Sequence, residues 1–261
     1  MQISEDFDTS LAGHWRTMQT PAALLAIDGE GLQLAIGGCD GRQYANAQID
    51  DYSGLPRTAF PWRPPLRLMV RAAASTQIAG TAGFGFWNSP ISPVGKVLPV
   101  LPAAIWFMHA APPADMPLAA GVAGHGWKAA CIDSGRPQAW PWAPLAPAVL
   151  LANRISAVEQ RLWPRVQQAL GISEALITPP DATIREYVIE WSIGRARFLI
   201  DNHVVHEAST APRGPLGFVA WIDNQWLVAT PRGSFAWGLH AVPAAQWLRI
   251  QHIEIVPSAA G

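Results

Sequence analysis

The chain is short of charge, of cysteine and of lysine. Only 14% of its 261 residues are Asp, Glu, Lys or Arg, and the formal net charge is −1. Lys96 and Lys128 are the lysines, and the arginines are scattered singly, so no basic stripe exists to track a phosphate backbone. Nucleic-acid binding, whose affinity rests on neutralising several phosphates, is therefore not expected. Cys39 and Cys131 stand far apart with no CxxC spacing, which predicts buried thiols rather than a disulfide framework or a zinc site. No apolar run reaches the roughly 18–20 residues that a membrane-spanning helix needs. The opening MQISEDFDTS is acidic where a secretion signal is basic and then apolar, so a soluble, reduced, cytoplasmic protein is expected. Carboxylates are missing altogether from Tyr52 to Ala114.

What is abundant is tryptophan, proline and glycine. Thirteen tryptophans exceed the eight phenylalanines and three tyrosines together. Twenty-four prolines and 22 glycines punctuate a chain that is half hydrophobic, a composition suited to short strands and many turns. Leu24–Ile27 and Leu32–Ile36 flank the turn Asp28-Gly29-Glu30-Gly31. Leu66–Ala74 alternates, Thr81–Asn88 carries glycine at alternate positions as if something packs closely over it, and Ala103–Ala110 is bounded by prolines. Further strands are expected at Tyr187–Ile193, Arg197–Ile200, His203–Glu207, Leu216–Ile222, Trp226–Thr230 and Trp247–Val256. From Ala148 to Leu170 the apolar residues recur at helical spacing instead, with Pro164 expected to kink or split the helix and Gly171 to end it. Residues 1–261 thus read as one all-β domain carrying an insertion, 111–180, of loop and helix.

Several phrases, in order, resemble those of the concanavalin A-like lectin/glucanase fold, and more narrowly the family 16 glycoside hydrolases. These are AIDGEGLQLAI, YANAQIDD, FPWRPPLRLMVRAAAS, GTAGFGFWN, YVIEWSIGRARFLIDNHVV and the strand Trp247–Val256. The resemblance implies a jelly-roll sandwich of two curved antiparallel sheets, with a ligand groove across the concave face. It also implies a structural role for Glu190 and Trp191, and an Asp201-Asn202 turn where the family has Asp-Gly. A structural calcium held by Asp6, Asp8 and Glu254 would follow the family pattern, although no cofactor is otherwise expected. The family cleaves β-glucans through paired glutamates on one strand, written E-x-D-x-x-E or E-x-D-x-E. This chain has neither phrase; AAIWFMHA stands in that place, with Ala104, Trp106 and His109 as the nearest counterparts. The fold is expected without the retaining glycosidase chemistry.

The remaining candidates are polar residues among tryptophans. Trp221 and Asp223 share one face of their strand, Ile222 and Asn224 the other, and Asn224, Gln225 and Trp226 continue the cluster. It reads either as a self-capping turn or as a polar patch on the groove. His109 reads as a core histidine or, paired with Asp223, as an acid–base couple. Asn88 reads as a ligand contact or a strand-ending turn, and Trp87, Trp106, Trp221 and Trp226 as flat faces for a ring. Trp127, Trp140 and Trp142 would belong to an insertion able to cover the groove. His203 and His206, three apart on a strand, face away from each other and predict no metal site. Two functions remain: a binding protein for a carbohydrate or other ring-bearing small molecule, and a cyclase, isomerase or lyase using Asp223 and His109. The helical insertion would serve dimerisation in a third, purely structural, reading.

Overall fold

The computed structural model describes residues 2–90, 100–180 and 182–258. Among these, an eight-stranded sheet runs in the order β14 (His203–Ala208), β13 (Arg195–Ile200), β12 (Arg185–Ser192), β7 (Leu66–Ala74), β19 (Gln246–Pro257), β4 (Leu32–Ile36), β3 (Ala23–Ile27), with β1 (Ile3–Glu5) also paired to β19. A seven-stranded sheet runs β11 (Ser173–Leu176), β10 (Gly126–Asp133), β9 (Ala103–Ala110), β8 (Thr81–Trp87), β15 (Gly217–Asp223), β6 (Asn46–Asp50), β2 (Arg16–Gln19). Every ladder in both sheets is antiparallel. Two short pairs complete the set, β16 (Gln225–Ala229) with β17 (Phe235–Leu239), and β5 (Cys39–Asp40) with β18 (Ala241–Val242). The all-β jelly-roll expectation holds.

The core lies between the two large sheets because alternation sends one face of each strand inward. Leu68, Val70, Ile189, Trp191, Ile253 and Ile255 come from the first sheet, and Phe84, Phe86, Ile105, Phe107, Phe218 and Ile222 from the second. Trp191 is fully buried and donates its indole N–H to the Pro212 carbonyl at 2.8 Å, while Glu190 pairs with Arg197 at 3.0 Å on the outside. Asp201 and Asn202 both adopt left-handed backbone (φ 49° and 64°), the geometry of a tight hairpin turn that Asn tolerates. Both cysteines are buried and free, and burial pushes the Cys131 thiol up.

The insertion departs from expectation. It contains β10 and β11, which extend the seven-stranded sheet beyond β9. In β10, Trp127, Ala129 and Cys131 face the core while Lys128 and Ala130 are buried on the other side, so the strand shows no alternation of exposure. Ahead of the expected helix, Gly135–Pro147 holds a 3-10 turn at Pro137–Trp142 and the start of α1 (Ala146–Ala152). The helix does divide, but at Asn153–Ile155, with α2 (Ser156–Ala169) running through Pro164. Asn153 is wholly buried there and donates to the Pro231 carbonyl at 3.0 Å, fixing the break. Gly171 (φ 59°) closes α2 as expected: its N–H meets Gln168 O, and the Ile172 N–H meets Gln167 O.

Candidate functional site

Three tryptophans gather on the outer face of the seven-stranded sheet. Alternation along β8, β9 and β15 sends Trp87, Trp106 and Trp221 to this side, opposite the buried phenylalanines. Their rings form a row, with centroids 5.9 Å apart for Trp87–Trp106 and 5.5 Å for Trp106–Trp221. The glycines of β8 make that row possible. A Cβ at Gly83 would lie 3.1 Å from the Trp221 ring, and one at Gly85 2.6 Å from Trp106 Cβ. Gly85 also sits at φ +149°, where side chains are rarely accommodated.

These rings line a pocket of about 320 Å³, near the lower end of the range typical of small-molecule sites. The sheet supplies one wall, through Thr81, Met108, Ala110, Lys128, Val219 and Asp223. Residues 116–126 and the start of the β16–β17 hairpin supply the rest, through Met116, Leu118, Gln225, Trp226 and Leu227. The two covering segments are joined: Asp115 N–H donates to Leu227 O at 3.0 Å, and Ala229 N–H to Asp115 O at 2.9 Å. Helix α2 backs them, since Trp163 donates to Leu118 O at 2.9 Å and Arg232 of the hairpin pairs with Glu159 at 2.6 Å. The insertion therefore does cover the groove, although not with the tryptophans expected. Trp127 packs in the core, Trp140 is 66% exposed, and Trp142 lines a separate apolar hollow against α1 and α2.

Three charged side chains reach the pocket, Asp223, Lys128 and Glu174. Asp223 is buried and accepts from Thr81 Oγ1 (2.8 Å), Thr81 N (3.2 Å), Gln225 N (3.1 Å) and Tyr44 OH (3.3 Å). Burial raises its carboxyl to about 6, against the opposing pull of those hydrogen bonds. Lys128 and Glu174 form an ion pair at 3.4 Å with each side chain 4% exposed. Glu174 also accepts Ala119 N–H at 3.1 Å and Lys128 donates to Met116 O at 3.2 Å, so the pair pins the covering loop to the sheet. Desolvation raises the Glu174 carboxyl despite Lys128.

The expected His109–Asp223 couple does not form. His109 lies three residues from Trp106, an odd step that turns it to the opposite face with Ile105 and Phe107. Its ring packs on Trp127 (5.1 Å) and its Nε2 lies 3.1 Å from Ile78 O, an environment that lowers its basicity by burial. Asn224 is also outside the pocket. Fully buried, it accepts Ala45 N–H at 2.9 Å and donates to Gln43 O and His240 O at 3.0 and 2.9 Å, so it joins three chain segments. Asn88 ties the ends of β8 and β9, donating to Leu101 O (2.9 Å) and accepting Ala103 N–H (3.1 Å); it borders a different, more polar hollow. Trp87, Trp106, Trp221, Trp226, Asp223 and Gln225 are the expected residues that do line the pocket.

No group of three or more His, Cys, Asp or Glu able to hold a metal occurs among the described residues. Of the three carboxylates considered for calcium, Asp6 contacts His252 at 2.6 Å and Glu254 pairs with Arg67 at 3.4 Å. Tyr44, Gln48, Thr81, Met108, Met116, Leu118, Lys128, Glu174 and Leu227 escaped the sequence reading. Met108 was legible, two residues from Trp106 on the same strand; a lone lysine inside the apolar run GWKAACID was another signal.

The arrangement of the two large sheets has counterparts among solved structures. The fold is that of the glucanase jelly rolls. A prokaryotic β-1,3-1,4-glucanase (lichenase) derived from a mouse hindgut metagenome superposes with TM-score 0.55 at 11% identity, covering 98% of this chain and 99% of that one. A Bacteroides ovatus mixed-linkage glucan family 16 glycoside hydrolase, in complex with a product, gives 0.53 at 10% identity over 97% and 99%. A GlcNAcα1-4Gal-releasing endo-β-galactosidase from Clostridium perfringens gives 0.57 at 14% identity over 97% of this chain and 60% of that one. No family model and no curated protein matches the sequence.

Proposed function

We propose that the chain binds a carbohydrate or other ring-bearing small molecule in the tryptophan pocket, and does not cleave glycosidic bonds by the two-carboxylate route. The observation that carries this reading is the outer face of β9, which offers Ala104, Trp106, Met108 and Ala110 and no acid. The two carboxylates that border the pocket do not replace the missing pair. Asp223 on β15 and Glu174 on β11 are separated by three intervening strands, roughly 19 Å at the ~4.8 Å strand spacing. Retaining and inverting glycosidases hold their pairs at about 5–5.5 Å and 6.5–9.5 Å. Both carboxylates are also held by internal partners.

A second reading, proton transfer by Asp223 without His109, is favoured by the raised carboxyl and its place on the pocket wall. Tryptophan emission read during titration with small cyclic compounds and with β-glucan oligosaccharides tests the binding reading, with Trp106→Ala expected to weaken binding at least tenfold. Reducing-sugar release from a β-glucan that is lost in Asp223→Asn would overturn it.

A further inference from the structure

Apart from the Trp106 Nε1–H, which is buried without a partner among the described residues, and the Gln225 amide, most of the pocket's polar groups are spoken for, and this restricts the ligand. Thr81 Oγ1 donates to Asp223 and accepts from Trp221 Nε1 at 2.8 Å. Trp87 Nε1 donates to Tyr52 OH at 2.7 Å, and Gln48 donates to Asp50 at 2.9 Å. Asp223 has four donors, and the Lys128–Glu174 charges cancel each other while holding the loop. What faces the empty volume is indole, together with Met108, Met116, Leu118, Ile132 and Leu227. Gln225, exposed at the rim, carries a side-chain amide for which no partner is found among the described residues.

A sugar ring bears an oxygen on nearly every carbon. Each hydroxyl buried without a partner costs about 1–3 kcal/mol, which ring stacking at about 0.5–1.5 kcal/mol per pair does not offset over several hydroxyls. A net charge on the ligand would meet the same difficulty more severely. An apolar ring has no such groups to desolvate, and methionine side chains conform to irregular ring edges.

Resting on the ligand-binding reading above, we infer that the pocket takes a compact, uncharged, largely apolar ring compound with one polar substituent turned toward the Gln225 amide, rather than a glycan. The test uses the full chain and the uncharged probe N-phenyl-1-naphthylamine. Expected are saturable probe fluorescence with quenching of tryptophan emission, and at least a tenfold weaker apparent affinity in Leu118→Arg. Leu227→Trp, which fills the pocket from the half-buried hairpin, is a second variant whose melting transition is checked beside it. Millimolar cellotetraose or laminaritetraose is expected to leave the probe bound.

If those oligosaccharides displace the probe and quench the tryptophans, and both variants abolish this, the binding reading stands and the apolar-ligand inference falls. Probe binding that neither variant alters overturns the inference by placing the probe elsewhere. No response to the probe or to any sugar overturns both.

Discussion

Asp223 shows how burial and hydrogen bonding contend at one residue. Four donors stabilise its charged form, yet desolvation dominates and the carboxyl rises from 3.8 to about 6. Between those values the folded chain keeps a proton that the unfolded chain has released. The Asp223 contribution to stability is therefore full below about pH 4 and is lost as pH rises through 6. Asp51, raised by burial to about 7 while accepting from Trp62 Nε1 and Phe218 N, acts with the same sign over a wider window. His109 and His206, lowered by burial, act in the opposite sense. The clean readout is a difference. The urea midpoint of the wild-type chain minus that of Asp223→Asn is expected to fall from pH 4 to pH 6.5 and then level off, and a flat difference would refute the shift. Alternation had already put Trp221 and Asp223 on one face, as the structure has them. The same parity rule, applied to the three-residue step from Trp106 to His109, would have removed His109 from the site. What no parity rule could supply is the set of partners from distant segments, such as Tyr44 on Asp223 and Gln43 on Asn224.

Strands were readable where a rhythm, alternate glycines or flanking turns and prolines marked them, including β8 and β15, which are buried on both faces. β4, β7 and β9 were delimited from the sequence, and β3 to within one residue, because a glycine turn, an apolar–polar rhythm or flanking prolines marked them. β10 and β6 are buried on both faces and keep no rhythm to read. The loop that covers the pocket was equally hidden, because it is held by the Lys128–Glu174 pair between β10 and β11. Removing one partner of such a pair leaves an unpaired buried charge, whereas replacing both by apolar groups of similar size is often neutral. Lys128→Met is accordingly expected to lower stability by about 3 kcal/mol or more, and the double change Lys128→Met with Glu174→Leu by less than about 1 kcal/mol. Chemical denaturation of the four proteins of this cycle measures the coupling, and additive losses would show that the pair does not act as a unit.

At the scale of the whole molecule, the resemblance in phrase order anticipated the sandwich, while the pocket depended on elements that the resemblance omits. One further consequence lies in the place of β19. This strand is late in the chain, yet it stands inside its sheet, between β7 and β4, and also carries β1. Its ladders join residues far apart, Leu248 to Leu34 and Ile253 to Val70 among them. Contacts of such long sequence separation make folding slow, since loop closure must precede any gain. A fragment ending at residue 240 keeps β7 and β4 but loses the strand that joins them. It is expected to show no cooperative melting transition, whereas a sharp transition would mean that the sheet closes some other way. During synthesis, therefore, the early strands have to wait: the sheet can be assembled from its parts but is only closed by the passage of β19 out of the ribosome, and exposure of those waiting edges to chaperones or to one another is built into the order of the chain.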